Sequence, residues 1–223
     1  MGSAASPPVA TRLVLVRHGE GRANVERVLA GLRGCTGLTE RGRWQVAALG
    51  ARWAARGFRP DVLLCSPVRR ARESADILAA ALHVAVREEC ALCEVHLGEA
   101  DGLALAAYEA HYGRAFDLLA EPDRPCAPGA ESWAAVMERV RRCLDDLATA
   151  HAGQTVAIVT HAGFVVASLL ELLAVPAAGE RAYLDPAFTS LTCWQHQAGR
   201  WTLVSFNDVQ HLDDFGEVLP SRP

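Results

Sequence analysis

Three short apolar runs punctuate the chain, and each leads directly into polar residues. TRLVLV (11–16), DVLLC (61–65) and TVAIVT (155–160) are continuous, rich in β-branched residues and leucine, and too short for helices. That pattern predicts strands buried on both faces, as in a parallel sheet. Between them the period changes to that of a helix. From Thr39 to about Arg56, Val46, Leu49 and Trp53 return at helical spacing, and Gly57 closes the segment. After Pro67, RRARESADILAAAL predicts a second helix, proline being well suited to a first turn. ESWAAVMERVRRCLDDLATA (131–150) places Trp133, Val136, Val140, Leu144 and Leu147 on one face. A further helix is expected from about residue 162 to Pro176. Two late strands, SLTCWQHQ and RWTLVSF, flank Ala198-Gly199 as a hairpin.

Strands alternating with helices predict a three-layer α/β/α sandwich around a mostly parallel central sheet. Residues 1–10 read as a disordered tail and 216–223 as another. A single domain is expected over 11–215. Its stretch from about 95 to 130, with glycines, Tyr108, His111, Tyr112, Phe116 and the proline-rich EPDRPCAPGA, is expected to form a small helical cap.

Composition narrows the chemistry. In 223 residues, 51% are hydrophobic and 22% charged, enough apolar side chain for a sizeable core. The net charge of −4 argues against nucleic acid or an anionic membrane as a partner. All 22 basic residues are arginine. Without lysine, neither a phosphate-loop nucleotide site nor a lysine Schiff base can be built. The seven cysteines are an odd number, and MGSAASPPVATR lacks the apolar stretch of a secretory leader, so reduced thiols and a cytoplasmic location are expected. Cys90 and Cys93 form a C-x-x-C pair with no second pair at zinc spacing, and no metal site or cofactor is assigned. Serine-based acyl transfer lacks its G-x-S-x-G elbow.

The strand ends carry the candidate chemistry. In such sheets ligands bind beyond the carboxyl ends of the strands, where β-like runs here deliver Arg17-His18 and His161 to one crevice. Arg70 follows the DVLLC strand near a helix start, where backbone N–H groups favour anions. Arginine forks match phosphate oxygens. A neutral imidazole can attack phosphorus, and Glu94 can protonate a leaving oxygen.

VRHGEGRAN (16–24) resembles the signature of the histidine phosphatase superfamily, which includes the phosphoglycerate mutases. The likeness continues, in order, through GLTERGRWQVAALG, CSPVRRARESAD, LCEVHLGEADG, PGAES, VTHAGFV and NDVQHL. It implies that His18 is the nucleophile that becomes a phosphohistidine, and that Arg17, Asn24, Arg70 and His161 hold phosphate. It also implies that Glu94 is the proton donor. The chain departs from the family pattern at three places: Gly21 stands where Ser or Thr is usual, Ala130 replaces a glycine, and Ala100-Asp101-Gly102 replaces Trp-Glu-Gly. Gly21, Arg22 and His111 are placed at the substrate mouth.

The resemblance implies a phosphatase acting on a small-molecule phosphate monoester, with a homodimer left open. The alternatives are a cofactor-dependent phosphoglycerate mutase and a non-catalytic phosphate-binding regulator. Mutases carry a longer insertion with an adjacent arginine pair, whereas Arg114 and Arg124 stand alone.

Overall fold

The computed structural model describes residues 9–113, 121–175 and 184–215. Arg114, Phe116, Pro176 and most of both predicted tails lie outside them. Six strands form one sheet: β1 (Thr11–Arg17), β2 (Val62–Cys65), β3 (Val86–Glu88), β4 (Thr155–Thr160), β5 (Leu191–Gln197) and β6 (Arg200–Asp208), in the spatial order β3-β2-β4-β1-β5-β6. The pairings β2–β3, β2–β4 and β1–β4 are parallel, and the late hairpin adds the antiparallel β1–β5 and β5–β6. The three apolar runs occupy the parallel centre because they alone have no polar face to turn toward water.

Helices cover both faces. α2 (Glu40–Ala55) and α3 (Arg69–Leu82) pack on one side, where Val46, Leu49, Trp53 and Leu78 meet Val14, Val16 and Leu63. α5 (Trp133–Ala150) and α6 (Ala162–Leu172) pack on the other, where Trp133, Val136, Val140 and Leu144 meet Leu13, Leu15 and Ile158. Alternation along β1 thus feeds two separate cores, giving the three-layer sandwich. Thr39 caps α2 by accepting from Gly42 N, and Ser132 caps α5 by accepting from Ala135 N. α6 ends at Leu172, before Pro176.

Five short elements were not predicted as such: α1 (Arg22–Glu26), β3, and 3₁₀ turns at Cys90–Leu92, Gly98–Ala100 and Gln210–Phe215. Each is too short to show a period. α4 (Leu105–Tyr112) lies in the expected cap, where Tyr108 is buried and donates to Cys126 O at 2.9 Å. Among the described residues, no helix is long and apolar enough to cross a membrane.

Candidate active site

Sheet register builds the site. The β1–β4 ladder pairs Arg17 with Thr160, and His18 N continues it to Thr160 O at 2.9 Å. His18 and His161 therefore emerge side by side at the carboxyl edge, their ring centroids 5.1 Å apart. Ser66 N extends the neighbouring ladder to Val159 O, so the end of β2 joins the same edge. α3 begins three residues later and brings in Arg70.

Arg70 holds the two imidazoles. Its guanidinium is buried and donates through Nε to His18 Nε2 at 2.9 Å, through NH2 to His161 Nδ1 at 3.1 Å, and through NH1 to Ala30 O at 2.6 Å. Because arginine only donates, both of those imidazole nitrogens are acceptors. His18 Nδ1 faces Gly19 O at 2.6 Å, and a carbonyl only accepts, so Nδ1 carries the proton and Nε2 keeps the lone pair. His161 Nε2 carries its proton toward Ser66 Oγ at 2.9 Å, and Ser66 Oγ in turn donates to Cys93 Sγ at 3.6 Å. Burial lowers His18 well below its ordinary pKa, and the charges of Arg70 and Arg17 add to this. His161 is lowered in the same way, first by burial and then by Arg70. Both rings are neutral at working pH.

Arg17 is held from the far side of His18. Its guanidinium stacks 4.0 Å from the Phe188 ring centroid, donates to Pro186 O, and lies 3.6 Å from Asp185. Its Nε is buried with no hydrogen-bond partner. An unpaired buried guanidinium N–H is costly.

Glu94 follows the 3₁₀ turn Cys90–Leu92. Arg139 on α5 fixes this loop by donating to Ala91 O, Cys93 O and Glu94 O at 2.9, 3.0 and 3.2 Å, while gripping Glu131 through Nε and NH2. Burial raises the Glu94 carboxyl above its usual range, against the opposing pull of Arg70, Arg17 and the Gly163 N–H. Gly163 makes room for it: a Cβ there would lie 2.2 Å from Glu94 Oε1.

The remaining expected residues divide. Asn24 Oδ1 accepts from Gly21 N at 3.1 Å, which leaves its amide N–H groups as donors. Gly21 is buried; a Cβ there would lie 3.0 Å from Asn24 Oδ1 and 3.2 Å from Arg70 Cδ. The usual hydroxyl residue would crowd both. Arg22 is exposed. His111 is exposed and meets Tyr112 edge-on at 4.5 Å, away from the paired histidines' contacts. Arg69 is solvent-facing and ion-pairs with Glu73 at 2.9 Å.

Asp101 stands at one of the departures from the family pattern. It accepts from Gly31, Arg33 and Gly34 N–H groups at 2.7–3.0 Å, pinning that loop. Burial alone would raise its pKa, but these donors outweigh burial and lower it.

Ser66, Gly163, Arg139 and Phe188 were missed as site residues. The first two stand inside the quoted CSPVRRARESAD and VTHAGFV blocks, where a signal existed. Arg139 and Phe188 gave none. Cys90, Cys93 and His96 are the one His/Cys/Asp/Glu group among the described residues with metal-ligand spacing.

Two neutral histidines are thus bridged by a buried arginine at the carboxyl edge of a six-stranded α/β sandwich. The family model for the histidine phosphatase superfamily (branch 1) matches residues 13–209, and the chain belongs to that superfamily. A metal-independent phosphoserine phosphatase of Arabidopsis thaliana is 29% identical over 92% of this chain and 85% of its own. The solved structure of a mycobacterial glucosyl-3-phosphoglycerate phosphatase is 29% identical, with a TM-score of 0.75 over 89% of this chain and 99% of that one. A bifunctional protein of Mycobacterium tuberculosis is 34% identical over 68% of this chain. The matched part is 41% of that protein, less than half its length.

Proposed function

We propose that this chain is a phosphatase that hydrolyses small organic phosphate monoesters without a metal ion, through a phosphohistidine on His18. The observation that carries the reading is the His18 tautomer: Nε2 holds its lone pair beside Arg70, with the unpartnered Arg17 Nε nearby in the same site.

Phosphate enters by exchanging Arg70's contacts with the imidazoles for contacts with its own oxygens. Arg17 and Arg70 then supply the charge that a metal clamp supplies elsewhere, Asn24 donates its amide N–H, and His161 donates once its Nδ1, released by Arg70, takes up a proton. His18 Nε2 attacks phosphorus, the N–P bond forms, and the bridging P–O bond breaks. Glu94 gives its proton to the departing oxygen. Water next attacks phosphorus while Glu94 takes one of its protons, and cleavage of the N–P bond releases inorganic phosphate and restores His18. The relatives named as phosphatases support hydrolysis. Against a mutase, Arg114 and Arg124 are isolated in the sequence, with no adjacent arginine pair to anchor a second anionic end. The net charge of −4 supports a small-molecule partner over nucleic acid or membrane.

The test uses 3-phosphoglycerate, with and without its 2,3-bisphosphate, in excess EDTA, following both free phosphate and 2-phosphoglycerate. Phosphate release that persists in the chelator is the expected result. Isomerisation well above phosphate release would place the chain with the mutases, and chelator inactivation reversed by a divalent ion would overturn the metal-free mechanism.

A further inference from the structure

A second cluster of reactive side chains lies on the loop that carries Glu94, and the proposed reaction does not use it. Cys90 Sγ and Cys93 Sγ are 3.8 Å apart, and His96 Nε2 is 4.0 Å from Cys90 Sγ. The three donor atoms all lie within 4.8 Å of one another. Zn–S bonds of about 2.3 Å at a tetrahedral angle place two sulfurs roughly 3.8 Å apart, and a Zn–N bond of about 2.0 Å places nitrogen roughly 3.5 Å from each sulfur. The sulfur edge matches, and the Cys90–His96 edge closes with a movement of about half an ångström. Two thiols in van der Waals contact would show the same sulfur spacing, so the histidine decides the case.

That histidine is held as a metal-ligating imidazole is held. Its other nitrogen, Nδ1, lies 3.3 Å from Glu131 Oε2, and its backbone N–H donates to the same oxygen at 2.9 Å. Arg139 fixes Glu131 through two further bonds. A carboxylate beside Nδ1 favours the tautomer protonated there, with Nε2 as the ligating nitrogen. Cys93 is buried and Cys90 exposed, on a cleft of about 360 Å³ that Glu94 also lines, so an ion has an entry path and a place for a fourth, water ligand. Thiolate with imidazole selects Zn²⁺ among common divalent ions.

We propose that Cys90, Cys93 and His96 form a Zn²⁺ site that slows turnover when occupied. Binding releases the two thiol protons to solvent and forms two Zn–S bonds and one Zn–N bond. It also draws Cys93 Sγ, the acceptor of Ser66 Oγ, toward the ion and so shifts the group that holds His161, and it clamps both sides of Glu94. The inhibitory half rests on the phosphatase reading; the binding half does not.

Co²⁺ serves as the spectroscopic probe, titrated into the reduced, metal-free full chain. One equivalent should produce thiolate-to-cobalt charge-transfer absorption, which Zn²⁺ then displaces. Cys90→Ser and His96→Gln should each weaken binding at least 10-fold. Cys90 is exposed and outside the chemistry, so Cys90→Ser should keep basal turnover and lose its sensitivity to micromolar Zn²⁺. Absence of the charge-transfer band, the same affinity in both variants, or wild-type turnover indifferent to a filled site would each overturn the proposal. Failure of the phosphatase reading is distinguishable, because it would show as absent turnover in the metal-free protein.

Discussion

Replacing Gly163 with alanine adds one methyl group beside the proposed proton donor. Gly163 has no positive φ, so alanine meets no backbone strain. It lies in the first turn of α6, where alanine in place of glycine is neutral or favourable by up to about 1 kcal/mol. The new Cβ, however, would sit 2.2 Å from Glu94 Oε1. Ordinary contact begins at about 3.4 Å, so the carboxyl must retreat by about 1.2 Å. The next neighbour, Trp133 Cζ3 at 3.4 Å, is already at normal contact. The carboxyl is the far end of a flexible side chain, so the fold gives way cheaply and the chemistry takes the cost. Misplacing a reacting group by about 1 Å costs on the order of 10²-fold, within the 10²–10⁴ that a general acid supplies. The expected outcome is an unchanged or slightly raised melting temperature and kcat on alkyl phosphates reduced about 10²-fold. On p-nitrophenyl phosphate, whose leaving group needs little protonation, the loss should be no more than a few-fold. Equal losses on both substrates, or none on either, would refute the placement of Glu94 as the acid beside Gly163.

Arg70→Lys keeps the charge but cannot reach His18, His161 and Ala30 together. Leaving buried acceptors unpaired should cost about 1–3 kcal/mol in a urea titration, and kcat/KM should fall roughly 10²-fold; near-normal kinetics would contradict the bridging role. Glu94→Gln should repeat the leaving-group pattern of Gly163→Ala with a larger loss, and steady-state rates on the same substrate pair would check it. His18, His161 and His211 are all lowered, so between the folded and ordinary pKa values the unfolded chain binds more protons. Stability is then complete above about pH 6.5 and declines as pH falls. For His211, lowered to about 4 chiefly by burial and then by Arg52, with Asp208 opposing, the loss between pH 6.5 and 4 is at most about 3 kcal/mol. His211→Gln should flatten that part of the urea-midpoint profile; an identical slope would exclude the residue as a contributor.

The sheet was legible because its central strands have no polar face, and a run such as TVAIVT fits nothing else so well. The paired histidines followed from it, since strands that end in Arg17-His18 and His161 must share an edge once they are parallel neighbours. What sequence could not show depends on distant contacts. No local pattern marks Arg139 as the residue that holds the Glu94 loop, because its partners lie 45 to 48 positions away. Gly21 was placed at the substrate mouth, and its closeness to Arg70 Cδ and Asn24 is visible only in the packed structure. The C-x-x-C pair was set aside for want of a second pair. Its third donor, His96, stands three residues further on, at a spacing that gains meaning only when a turn folds it back.

The central claim is covalent chemistry at His18, and trapping the intermediate tests it most directly. The enzyme is mixed with a phosphate ester labelled in its phosphoryl group, quenched in alkali within the first turnovers, digested and mapped. The account predicts a label on the peptide containing His18 that survives alkali and is lost in acid, together with loss of both label and turnover in His18→Ala. Label on any other residue, or full turnover by His18→Ala, would contradict it.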